Sequence, residues 1–187
     1  MTTATKGLPG ELMIWVLIFS ELAVFGAGLA IFLALRIFDP SGFAEAQTAL
    51  LPALAGVNTI ILITSGYLAA LATRTPEYAR LLLIGAAALG AAFLLLKGYA
   101  ALGAAFLLLK GYEFQHKAAL GITFETHDFF MFYYLLTGFH AAHVVAGVLI
   151  LLLVAWTRLP AHIQTGAQFW HMVDLVWVLL FPVVYLL

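Results

Sequence analysis

The chain has 187 residues, 65% hydrophobic and 9% charged, with a net charge of −1 and a mean hydropathy of +1.09. Soluble domains carry about 25% charged residues, so this apolar surplus needs the bilayer as its solvent. The eight Lys and Arg lie scattered at segment ends, which excludes a basic nucleic-acid face, and the lack of cysteine excludes a disulfide framework, a thiolate metal site and a Cys nucleophile.

About 20 apolar residues cross ~30 Å of hydrocarbon, and five such runs follow one another. The first, 12–35, is closed by Arg36; it is too long for a signal-peptide core and reads as a retained span. The second, 51–73, opens with Pro52 in a tolerated first-turn position and closes at Arg74. The third, 81–112, lies between Arg80 and Glu113, the fourth, 129–156, is closed by Arg158, and the fifth, 169–187, contains Pro182, where a kink is expected. The stretches 37–50, 75–78, 113–128 and 157–168 read as connections, the first on its Asp-Pro and Ser-Gly turn signals. Such short links force neighbouring helices to alternate in direction. The expected fold is therefore all-α and integral to the membrane: one domain, 1–187, forming a five-helix antiparallel bundle with an overlong third helix. Basic residues at the span ends divide as Lys6, Arg74, Arg80 and Arg158 against Arg36, Lys110 and Lys117, a bias that favours a cytoplasmic N-terminus and an outer C-terminus.

The third run contains "AALGAAFLLLKGY" at 87–99 and again, unchanged, at 100–112. Thirteen residues advance a helix by about 19 Å and turn it by about 220°. The copies thus present different faces and do not form a repeated binding surface. Residues 100–109 are too few for a second crossing, so one overlong helix remains.

Ionisable groups inside the membrane cost a few kcal/mol each and are functional suspects. Glu21 sits mid-span in "IFSELAVF" with no basic neighbour in sequence, so it is either neutral or paired across the bundle. "TGFHAAHVVAG" places Thr137, His140, Val144 and Gly147 on one helical face, with His143 beside His140. "FWHMVDLVW" places His171 and Asp174 at i and i+3, and "EFQH" does the same for Glu113 and His116. These pairs could ligate a metal or haem iron, or buried imidazole and carboxylate could satisfy each other. Asn58, Thr59, Thr64 and Ser65 read as interhelical hydrogen-bonders. Gly26, Gly28, Gly66, Gly138 and Gly147 read as close-packing positions, and Trp15, Trp156 and Trp170 as interface anchors.

"WVLIFSELAVF", "NTIILITSG", "LGAAFLLLKGYEF", "LLTGFHAAHVVAG" and "FWHMVDLVWVLLFPVVYL", in this order, resemble the subunit III family of haem-copper oxidases over nearly the whole chain. Typical members have seven spans; this chain lacks the first two and looks like the short NorE-type protein associated with bacterial nitric oxide reductase. The resemblance implies a non-catalytic accessory subunit in a bacterial inner membrane, without haem or copper of its own. It would pack beside a catalytic subunit that holds them, contact phospholipid and support proton uptake. Glu21 falls on the family's carbodiimide-reactive Glu, and His140, His143, His171 and Asp174 fall on its polar bundle positions. The family's lipid cleft, between the first two spans and the rest, cannot exist here in the same form. Only the second copy of the duplicated stretch runs on into the family's "EF", so the first copy reads as the surplus. Seating the second copy would push Lys97 into hydrocarbon, at about 2.5–3.5 kcal/mol if central. From a different class, the alternative is a membrane metalloenzyme using His140, His143, His171 and Asp174. A small transporter is disfavoured by the lack of an inverted repeat or of broken helix pairs.

Overall fold

The computed structural model describes residues 12–48, 50–117, 128–157 and 159–187, with 99–117 described for its backbone alone. Among the described residues six α-helices form: α1 (Leu12–Phe38), α2 (Pro40–Gln47), α3 (Pro52–Arg74), α4 (Ala79–Lys117), α5 (Asp128–Thr157) and α6 (Pro160–Phe181), followed by a π-helical turn at Pro182–Leu186. Among the described residues there is no strand, and five helices are long and apolar enough to cross a membrane. The expected all-α bundle with an overlong third membrane helix is what is found.

Helices α3, α4, α5 and α6 pack in a closed ring, each against the next and α6 back onto α3, while α1 lies outside against α5 and α6. The links force this order: four residues separate α3 from α4 and two separate α5 from α6, so each pair must run antiparallel. The outward faces carry Phe19, Ile60, Leu81, Leu95, Leu149 and Leu153, all exposed, as bilayer-facing helices require. Inside, the face Thr137, His140, Val144 and Gly147 of α5 is buried, in keeping with its 3.6-residue period.

Three boundaries differ from expectation. The connection 37–50 contains α2, because Asp39 caps it by accepting from the Gly42 N–H at 3.0 Å and Pro40 takes the N1 position. Phe43 of this helix plugs one end of the bundle against Phe32 and Phe129, at ring separations of 5.3 and 5.5 Å. The last helix starts at Pro160 rather than 169, since Pro160 again occupies the first turn. Pro182, which has no N–H, does not end the helix with a simple kink; it opens the π-helical turn closed by Leu187 N–H donating to Pro182 O at 3.0 Å.

A further correction concerns the duplication. The first copy packs in the bundle through Phe93 and Lys97. Ser65 Oγ donates to Ala86 O at 2.7 Å, Asn58 Nδ2 donates to Phe93 O at 3.2 Å and Lys97 Nζ donates to Tyr185 Oη at 2.7 Å, all within 79–98. The reason lies just upstream. Seating the second copy would shift every residue by thirteen and put Tyr99 where Ala86, fully buried, now meets α3. The backbone of α4 then continues helical to Lys117, 39 residues in all.

Candidate functional site

The polar interior is organised around α6. Its Trp170 is completely buried, not an interface anchor. Its ring lies between α4 and α5, so close that a Cβ at Gly90 or Gly147 would come within 2.5 Å of it. The glycines make the slot, and the indole N–H donates to Ser65 Oγ at 3.1 Å. One turn on, Asp174 packs on Gly66, where a Cβ would collide with its carboxylate. Two turns on from Trp170, Trp177 donates to Thr59 Oγ1 at 2.9 Å. The stripe Trp170, Asp174, Trp177 thus ties α6 to α3. Asn58 and Ser65 do bond across helices, whereas Thr64 donates to Ile60 O of its own helix. Gly28, Gly66 and Gly147 sit at close approaches, but Gly26 and Gly138 have open space around them.

The sequence-marked residues fall into separate environments. Glu21 Oε2 of α1 lies 3.1 Å from His143 Nε2 of α5, both partly exposed. The other ring nitrogen, His143 Nδ1, is 2.9 Å from Phe139 O. Phe25 and Phe139 stand edge-on to the imidazole, at 5.5 and 4.6 Å. A carbonyl only accepts, so Nδ1 carries its hydrogen. Nε2 then faces a carboxyl oxygen in a contact that lacks a well-aligned hydrogen bond. Two bare acceptors at this distance repel, and one proton between them makes the contact attractive with no net charge on the pair.

His140 is buried on α5, stacked on Trp177 at 5.2 Å and edge-on to Phe93 and Phe25, with no hydrogen-bond partner for either ring nitrogen among the described residues. His171 Nδ1 is 3.9 Å from Asp174 Oδ2, too far for a hydrogen bond, and Asp174 Oδ1 has no hydrogen-bond partner among the described residues. The mutual satisfaction expected of His171 and Asp174 is therefore absent. Glu113 and His116 lie outside the residues whose side chains are described. Among the described residues no three His, Asp or Glu side chains converge on one point.

Sequence reasoning missed one cluster. Lys97 is buried with its amine over the rings of Trp177, Tyr185 and Tyr133, at 4.5, 5.1 and 5.2 Å. The hydroxyls of Tyr133 and Tyr185 are 2.9 Å apart. The elements meet here because Lys97 lies about 27 Å along α4 from Ala79, at the end of the bundle where α5 begins and α6 ends. A larger cavity of about 420 Å³ lies at the opposite end, among Thr73, Glu77, Arg80, Pro160 and Gln164.

The fold and its interior define a helical membrane protein with polar contacts between helices and apolar outer faces. The family described as cytochrome c oxidase subunit III matches residues 7–187, and the chain belongs to that family. Cytochrome c oxidase subunit 3 of Synechocystis sp. is 34% identical over 197 aligned residues, covering 97% of this chain and 78% of the relative. Shorter matches are cytochrome c oxidase subunit 3 of Thermostichus vulcanus, 38% identical over 37% of this chain and 39% of the relative, and cytochrome bo(3) ubiquinol oxidase subunit 3 of Pseudomonas aeruginosa, 39% identical over 40% of each.

Proposed function

We propose that this chain is a non-catalytic accessory subunit of a respiratory haem-copper complex in a bacterial inner membrane, N-terminus cytoplasmic, without haem or copper of its own. The observation that carries this reading is the family match across 7–187. The dispersal of His140, His143 and His171 into three environments argues in the same direction. The catalytic partner is an oxygen-reducing oxidase or a nitric oxide reductase. The names of the relatives favour the first, and the resemblance of "KGYEF" favours the second. Glu21 and His143 would take part in proton supply, since their contact calls for one shared proton and both side chains are partly open to the surroundings.

A reduced-minus-oxidised visible spectrum of the tagged chain, purified from its own membranes in mild detergent, tests this. Substoichiometric haem that leaves on harsher washing is expected, and the haem types then identify the partner. One haem per chain surviving the wash would make the histidines ligands and overturn the reading. Complete absence of haem and of any co-purifying subunit would also count against it.

A further inference from the structure

Helix α6 packs against α5, α3 and α1. Its remaining surface is exposed, with His171, Leu175 and Val178 following one another at helical spacing. His171 borders α3, since a Cβ at Gly66 would meet its Nδ1 at 3.6 Å. On the other side α1 covers the seam between α5 and α6. The strip is therefore the floor of a groove with α3 and α1 as its walls. His171 stands about 16 Å past Pro160, near the middle of the 27-residue span Pro160–Leu186. Its side chain is 45% exposed, and neither ring nitrogen has a hydrogen-bond partner among the described residues. Other exposed polar side chains in the spans are satisfied locally: Ser20 donates to Leu17 O and Thr64 to Ile60 O, each within its own helix. His171 has no such carbonyl. A neutral imidazole offers one donor and one acceptor, and a lipid tail answers neither.

We propose that this groove receives a transmembrane helix of the catalytic subunit, which sets a hydroxyl or carboxamide side chain against His171. Such a group both donates and accepts, so it pairs with the imidazole in either tautomer, and hydrogen bonds of this kind join helices inside the membrane. Leu175 and Val178 supply apolar contact one and two turns further along α6, as for a helix laid in a groove. A second copy of this chain across a two-fold axis at His171 would bring like against like, donor to donor or acceptor to acceptor. The occupant, as distinct from the groove, rests on the accessory-subunit reading. The groove is separate from the Glu21–His143 contact, which joins α1 to α5.

Site-specific photo-cross-linking tests this. Benzoylphenylalanine replaces Leu175 in the full-length chain, expressed in its own membranes and irradiated before solubilisation. Leu95 and Leu149, exposed on α4 and α5, are the comparison positions. Adducts are identified by peptide mass spectrometry. Capture of the haem-bearing subunit from position 175 is expected, at least tenfold above that from 95 or 149. His171→Phe should lower both this adduct and recovery of the haem-bearing subunit in mild detergent at least tenfold, with the thermal stability of the chain unchanged. His171→Gln, which still donates and accepts, should restore most of both. A haem-bearing subunit that co-purifies but is captured from 95 or 149 instead would overturn the groove and leave the accessory-subunit reading standing. If no haem-bearing subunit co-purifies or is captured, both fall. Capture of a second copy of this chain from position 175, or recovery indifferent to His171→Phe, would each overturn the proposal. If His171→Phe lowers stability, the pattern of capture in the chain with His171 intact still decides.

Discussion

Glu21 and His143 form a pair whose chemistry depends on one hydrogen. Glu21→Gln keeps a donor facing His143 Nε2 and keeps the shape, but it cannot take up or release a proton. We expect its complex to assemble with normal thermal stability while losing activity sooner during sustained turnover. Glu21→Ala removes the contact with His143 Nε2 altogether, so a lower melting temperature is expected as well. Turnover lifetimes equal to wild type in both variants would remove Glu21 from proton handling. At this scale the sequence was partly legible. The position of Glu21 inside a span marked it, but its partner 122 residues away could not be read from one-dimensional spacing. Lys97 was read only as a cost, because Tyr133 and Tyr185 lie far along the chain and the choice of register was open. Trp170 was misread as an anchor because the last span was started at 169. With the helix beginning at Pro160, Trp170 lies about 15 Å inside it, where a wide ring needs the slot made by Gly90 and Gly147.

At the scale of elements, membrane spans announce themselves through apolar runs, and all five were legible. Their ends were not, because polar residues such as His162, Gln164 and Thr165 can sit on the exposed side of a helix's first turns. The proline at N1 was the better signal at α2, α3 and α6. The duplicated stretch posed a harder problem, since two identical segments offer two registers and periodicity does not distinguish them. Context distinguishes them: Ala86 fits beneath Ser65, and Tyr99 would not. The chain has no cysteine, so a disulfide between introduced residues reports the register directly. Ser65→Cys with Ala86→Cys should cross-link on mild oxidation, and Ser65→Cys with Tyr99→Cys should not. The reverse pattern would place the second copy in the bundle and dissolve the Lys97 cluster.

For the whole molecule, the consequence of the first-copy register is length. Residues 79–98 span about 30 Å, one hydrocarbon thickness, while the full 39-residue helix reaches about 58 Å. A tilt of about 40°, the upper end seen for membrane helices, still leaves about 45 Å along the bilayer normal. The surplus therefore belongs beyond the membrane segment, on the side where α5 begins, and not within the packed ring. Because the copies are identical, removing 87–99 or 100–112 yields one and the same protein. That variant retains every bundle contact described for Ser65, Asn58, Trp170 and Lys97, and it restores a third span that needs no extension. We expect it to insert, to keep the thermal stability of the parent within experimental error, and to co-purify with the same haem-bearing partner. A fall in partner recovery with stability intact would instead make the extended part of α4 a docking element. A fall in stability itself would mean that the bundle draws support from the extension and that the first-copy register does not complete the fold alone.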